Sequence, residues 1–151
     1  MEKRESCRAI VITNNELVVM YRNKEGRIYY TFPGGGRENN ETLNECMIRE
    51  CVEEFGIIVE PLREIYYFED EKSIQHFFVC KWISGELGSG TGEEFQPDRN
   101  RGVYKTTTLK LNEIEQSPLV PSEIKEQILK DVKKYGTSLN IPCKNIVGGK
   151  W

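Results

Sequence analysis

The apolar positions of the chain change period several times, and each change predicts an element. Residues 7–12 and 17–21 are apolar, β-branched-rich runs on either side of Asn14-Asn15, a dipeptide that accepts the positive φ of a tight turn, which predicts a hairpin. Ile28-Tyr29-Tyr30-Thr31-Phe32 predicts a third strand, ended by Pro33-Gly34-Gly35-Gly36, where the backbone can bend sharply and approach a ligand closely. From 42 to 55 the spacing becomes helical: Thr42 with Glu45 makes a capping box, and Gly56 stands where a C-terminal cap belongs. Strand patterns return at 57–59, 65–68 and 74–83, the last two joined through the charged Glu69-Asp70-Glu71-Lys72. Residues 84–102 hold five glycines and Pro97, which predicts a long loop of the kind that often carries function. A final strand is predicted at 103–111. Pro121-Ser122-Glu123 then opens an amphipathic helix carrying Ile124, Ile128, Leu129 and Val132 to about Tyr135. We expect one domain over residues 1–135 and a Gly-rich tail over 136–151, whose Ile141, Ile146, Val147 and Trp151 dock on the body or on a partner.

Composition narrows the classes. A chain of 151 residues is long enough to bury one real core. Its 30% charged residues imply a well-solvated surface, and its seven Tyr, six Phe and two Trp argue against disorder. Lys, Arg or Glu interrupts the apolar runs every few positions, which excludes a membrane-spanning helix. The charged start Met1-Glu2-Lys3-Arg4-Glu5-Ser6 has no apolar segment and cleavage site behind it, so a cytoplasmic protein is expected. Five cysteines without a CxxC pair predict reduced, mostly packed thiols. A net charge of −3 with no basic block disfavours long nucleic acid as a partner.

The chemistry gathers in Gly35-x5-Glu41-x7-Arg49-Glu50-Cys51-x-Glu53-Glu54-x-Gly56-Ile57. At about 100° per residue, Glu50, Glu53 and Glu54 fall on one arc of the helix, and Met47, Ile48, Cys51, Val52 and Phe55 on another that can face the core. Clustered acids repel one another unless a dication lies between them, and hard carboxylate oxygens suit Mg²⁺ or Mn²⁺. Arg49 lies four residues before Glu53 and can hold its orientation. Gly34, Gly35 and Gly36 leave room for an ion or a phosphate ahead of a helix N-terminus that favours negative charge. An acidic helix face alone is ordinarily solvated surface, and a lone Gly-Gly-Gly is ordinarily a turn. The joint pattern points to a metal–diphosphate site.

Residues 35–57 resemble the signature box of the Nudix hydrolases, with Phe32-Pro33-Gly34 similar to the approach to that box and Cys51 standing where an aliphatic residue is usual. At lower specificity the likeness extends over about residues 6–135. It implies an α/β fold, an α/β/α sandwich with a mixed β-sheet, and hydrolysis of a diphosphate linkage in a nucleoside diphosphate derivative, nucleotide-pool sanitation among its uses. On that resemblance Glu50 and Glu54 bind the metal, Glu53 is a further ligand or the base, Arg49 orients it, the Gly34 carbonyl completes the shell and Glu41 supports the loop. Gly35, Gly36, Arg37 and Arg22 would contact substrate, as would Arg8, and Glu93 or Glu94 would supply a late carboxylate. Phe78, Trp82, Tyr104 and Phe95 are candidates for base stacking, with core packing favoured for Phe78 and Trp82; His76 reads as structural. The partner expected is a small nucleotide or nucleotide-like diphosphate, with a homodimer and no membrane. The alternatives are a non-catalytic nucleotide-sensing module of the same fold and an isoprenoid diphosphate isomerase.

Overall fold

The computed structural model describes residues 3–89 and 102–149. Among them the strands are β1 (Arg4–Ile10), β2 (Ile12–Thr13), β3 (Glu16–Lys24), β4 (Arg27–Thr31), β5 (Gly34–Gly36), β6 (Ile57–Glu69), β7 (Ser73–Gly85), β8 (Val103–Lys110) and β9 (Lys144–Val147), and the helices are α1 (Leu43–Phe55) and α2 (Ser122–Tyr135). One sheet runs β5-β1-β7-β6-β9 and is mixed: β1 is parallel to β7 and β9 to β6, while the other pairs are antiparallel. In the second sheet β3 pairs antiparallel with β2, β4 and β8.

Alternation along the strands sorts the core into two layers. Cys7, Ala9 and Val11 pack with Val18 and Met20 against Cys46, Met47, Cys51 and Phe55 of α1. The intervening Ile10, Leu17 and Val19 face the other way, towards Ile124 and Ile128 of α2. The outcome is a mixed α/β arrangement with a mixed sheet, as the resemblance implied. No helix among the described residues is long and apolar enough to cross a membrane. All five cysteines are free thiols, four of them buried; burial pushes the Cys80 thiol up to about 12.

Several expectations need correction. Asn14 and Asn15 both take positive φ in the predicted turn, but the pairing with β3 is short, Ile12 and Thr13 with the Val18 N–H donating to the Val11 carbonyl, and residues 4–10 leave to join the mixed sheet. Gly34–Gly36, read as a bend, pairs with β1 as a short strand. The runs 57–59 and 65–68 belong to one strand, whose register shifts at Ile58/Val59, Pro61/Arg63 and Glu64/Tyr66. Those bulges turn the strand over, so Ile57 and Val59 pack on the α1 side while Ile65, Tyr66 and Phe68 pack on the α2 side. On α1, Ile48 and Val52 are exposed and Glu50 is buried instead. Met47, Cys51 and Phe55 repeat every four residues, and Glu50 lies beside that stripe. Beyond α2, Leu139 and Ile141 are buried and β9 pairs with β6; Trp151 lies outside the described residues.

Gly34 has φ +141, and a Cβ there would overlap the Cys7 carbonyl oxygen. Gly34→Ala is therefore expected to cost about 3 kcal/mol by disrupting the β1–β5 pairing. Urea unfolding checks this, and a loss below about 1 kcal/mol would show that the segment shifts freely.

Candidate active site

The site begins with the contact between β5 and α1. A Cβ on Gly35 would lie 2.7 Å from the carboxyl carbon of Glu50, so that carboxylate rests on bare glycine backbone. Glu50 is only 9% exposed there. The Gly35 carbonyl faces the thiols of Cys46 and Cys7, at 3.6 and 3.9 Å. The helix is fixed at both ends. The backbone N–H of Glu45 donates to Thr42 Oγ1, that of Thr42 donates to Glu45 Oε1, and Gly56 closes the C-terminus in the left-handed region.

Arg49 gathers the acids. Its Nε and Nη2 donate to the two oxygens of Glu41 at 2.6 and 3.1 Å, a two-pronged grip on one carboxylate. Its Nη1 lies 3.0 Å from Glu50 Oε1 and 3.1 Å from Glu53 Oε2, and Nη2 also donates to the Gly36 carbonyl at 3.3 Å. Glu38 completes the ring at 3.7 Å. The guanidinium holds the Glu41 carboxyl below its ordinary range. One cation thus sits among four carboxylates, leaving an excess of negative charge on hard oxygen donors.

The structure brings Glu41, Arg49, Glu50 and Glu53 together as one cluster against Gly35 and Gly36, while Gly34 packs on Cys7 and Arg8. Glu54 follows Glu50 by one helical turn and is half-buried. Among the described residues no three Asp, Glu, His or Cys side chains are arranged as a ready metal cage; oxygens of Glu50 and Glu53 are engaged by Arg49. The donor set still fits Mg²⁺ or Mn²⁺, because it offers carboxylate oxygens in excess of local positive charge beside a glycine cradle that a Cβ would fill.

The other candidates separate. Arg37 pairs with Glu5 at 2.7 Å and donates to the Glu41 carbonyl at 3.3 Å, so it braces the glycine segment. Arg8 donates to the Phe32 and Gly34 carbonyls, at 3.1 and 3.2 Å, which occupies one approach to the Gly34 oxygen. Arg22 is not brought to the cluster: it stacks on Tyr29 and Tyr104 in the second sheet and donates to the Tyr104 hydroxyl, with its Nε buried and unpartnered. Phe78, Trp82 and Tyr104 pack partly buried on the α1 core. Glu93, Glu94 and Phe95 lie outside the described residues.

His76 is clamped between Glu64 at 2.8 Å and Glu5 at 3.1 Å. The hydrogen bond that the ring donates to the Glu64 carboxylate raises its pKa above the ordinary 6.5. A group whose folded pKa is raised stabilises fully below its unfolded value and loses that contribution as pH climbs through the folded one. His76→Gln is therefore expected to be less stable than the parent at about pH 6, with the gap closing towards about pH 9. Unfolding in urea across that range measures it; a gap that widens with pH would mean a neutral imidazole.

A cavity of about 310 Å³ opens beside Arg8, lined by Phe32, Phe68, Gln75, Pro121 and Glu123 among others. Sequence reading named Arg8 but missed Phe68, Gln75 and Glu123, because no local pattern shows that β6, β7 and the start of α2 meet there. Only strand order brings them together.

A family model described as NUDIX domain matches residues 3–120. An RNA pyrophosphohydrolase from Histophilus somni (strain 2336) is 37% identical over 57 residues, 38% of this chain and 30% of that protein. An ADP-ribose pyrophosphatase from Methanocaldococcus jannaschii is 32% identical over 83 residues, 51% of this chain and 49% of that protein. The match spans less than half the length of either curated relative. Among solved structures, a NUDIX hydrolase from Nitrosomonas europaea superposes with a TM-score of 0.76 at 17% identity, over 100% of this chain and 81% of its own. An ADP-ribose pyrophosphatase from Streptococcus suis 89-1591 superposes with a TM-score of 0.66 at 16% identity, over 97% and 99%. At these identities the shared property is the fold.

Proposed function

The chain belongs to the NUDIX domain family, and from that membership we propose that it hydrolyses the diphosphate linkage of a small nucleoside diphosphate derivative in a metal-dependent reaction. The observation that carries the reading is the meeting of Glu50 and Glu53 on one nitrogen of Arg49, beside the glycine backbone of β5. A bound Mg²⁺ or Mn²⁺ would supply Lewis acidity there, neutralising diphosphate charge and lowering the pKa of a water. Glu50, Glu54 and the Gly34 carbonyl are the groups to hold it.

Burial divides the acids by role. The Glu50 side chain is 11% exposed and suits a fixed ligand, whereas that of Glu53 is 45% exposed and reaches solvent. Arg49 holds Glu53 Oε2, which leaves Oε1 to accept the proton of the attacking water. The hydroxide attacks one phosphorus, the bridging P–O bond breaks, and its electron pair leaves with the departing phosphate. Gly36, beside the Arg4 guanidinium, lets the diphosphate approach, while the bare backbone of Gly35 seats the Glu50 carboxylate. The cavity behind Arg8 receives the organic half of the substrate: its volume suits a compact nucleoside, as in the ADP-ribose named for one relative, better than an RNA chain, as named for the other.

The test is product release from a panel of nucleoside triphosphates, ADP-ribose, nucleotide sugars, dinucleoside polyphosphates and 5′-phosphorylated RNA, with Mg²⁺ and with EDTA. Hydrolysis that requires Mg²⁺ is expected on at least one small nucleotide. Silence across the panel would favour a nucleotide sensor, and activity that persists in EDTA would refute the metal site. Mg²⁺ should also raise the melting temperature, since a ligand bound to the native state stabilises it by mass action.

A further inference from the structure

We propose that residues 144–149 form a strap that closes one side of the cavity beside Arg8 and so sets which organic groups the site accepts, an inference that rests on the reading of this cavity as the seat of the substrate's organic half. The strap lies beyond residues 3–120, the stretch matched by the family model.

Two anchors hold it. At one end β9 runs parallel to β6 along Tyr66, Tyr67, Phe68 and Glu69, and Lys144 Nζ donates to Asp131 at 2.7 Å. Asp131 is 2% exposed and also accepts from the Tyr66 hydroxyl at 2.6 Å, which locks that end to both β6 and α2. At the other end the Gly148 N–H donates to the Glu69 carbonyl at 2.8 Å and the Gly149 N–H to Glu123 Oε2 at 2.6 Å. The strap therefore crosses from the edge of β6 to the first turn of α2, and both shores belong to the cavity wall: Phe68 and Asp70 on one, Pro121 and Glu123 on the other, with Gly149 itself between them.

The residue types suit the crossing. A Cβ on Gly148 would lie 2.6 Å from Phe68 Cζ and 2.9 Å from Asp70 Cβ, so only bare backbone can lie this close to the aromatic wall. The contact to Glu123 is a single charge-assisted hydrogen bond in an exposed setting, strong enough to hold the strap and weak enough to release it. A closed strap confines the group held against Phe32 and Phe68; an open one gives it more room.

Amide hydrogen exchange of the full chain tests this, with Mg²⁺ and the α,β-methylene analogues of ADP, GDP, UDP and CDP as probes. Binding is expected to slow exchange at 144–149 about fivefold or more, together with 32–36. Protection at 32–36 without 144–149 would overturn the strap and leave the functional reading standing; protection at neither, with every analogue, would overturn both. A second measurement compares the ratio of kcat/KM for purine and pyrimidine substrates in the parent, in Glu123→Gln and in a chain lacking residues 144–151. The ratio is expected to shift about fivefold on deletion and about twofold, in the same direction, for Glu123→Gln, which keeps the strap's own sequence. An unchanged ratio in Glu123→Gln combined with absent exchange protection refutes the proposal even where the deletion fails to fold.

Discussion

Glu53→Gln is expected to lower kcat by about 10²- to 10⁴-fold, the range over which a positioned general base contributes. The substitution preserves shape, and its amide oxygen can still accept from Arg49, so the 3.1 Å contact to Nη1 survives. What disappears is the negative charge and the proton acceptor. KM should change much less, because on the proposed reading the diphosphate would be held by backbone and metal rather than by this oxygen. Glu50→Gln is the contrasting variant: its carboxylate is buried against Gly35, so its loss should appear mainly as a higher Mg²⁺ requirement. Steady-state kinetics over a Mg²⁺ titration separate the two. If Glu53→Gln retains more than about a tenth of the parent kcat, the base is another group.

Arg49→Ala is expected to destabilise the protein by about 2–3 kcal/mol, below the 3–5 typical of a fully buried pair because the guanidinium is partly exposed. Removing Arg49 leaves the side chains of Glu41 and Glu50, 12% and 11% exposed, beside Glu53 with no cation among them. Urea unfolding in EDTA reads the loss, which corresponds to a fall in melting temperature of about 5–10 °C for a chain of this size. The pH dependence has a definite sign. Arg49 depresses the folded-state pKa of Glu41, so that carboxylate's contribution is present above its unfolded value of 4.5 and is lost as pH falls through the folded one. The gap between parent and Arg49→Ala should thus be full near neutrality and shrink in acid. Arg49→Lys should recover only part of it, since an ammonium cannot grip both oxygens of Glu41 while reaching Glu53. A gap independent of pH would mean that the loss comes from packing.

How much of this was legible beforehand differs between the site and the fold. The cluster of Glu41, Arg49, Glu50 and Glu53 could be read because three of its members lie within two turns of one helix, where spacing alone sets direction. Glu41 precedes that helix by two residues, and the Thr42 cap fixes the joint between them. Residues 57–68 misled because alternation is the only strand signal a sequence carries: bulges at Ile58/Val59, Pro61/Arg63 and Glu64/Tyr66 break the alternation without ending the strand. The separation of residues 4–10 from β3 was equally hidden, since β1 and β3 carry the same pattern whether they pair with each other or with different sheets.

Local chemistry along the chain thus settled the helix and its caps and which acids share its face, each being an interaction among residues a few positions apart. Tertiary structure alone decided that β5 folds back on β1 so that Gly35 meets Glu50, that Arg8 connects the glycine segment to a cavity, and that Gly149 returns from the far end of the chain to wall it. Those contacts depend on sheet order and on burial against distant partners, which no short-range periodicity encodes.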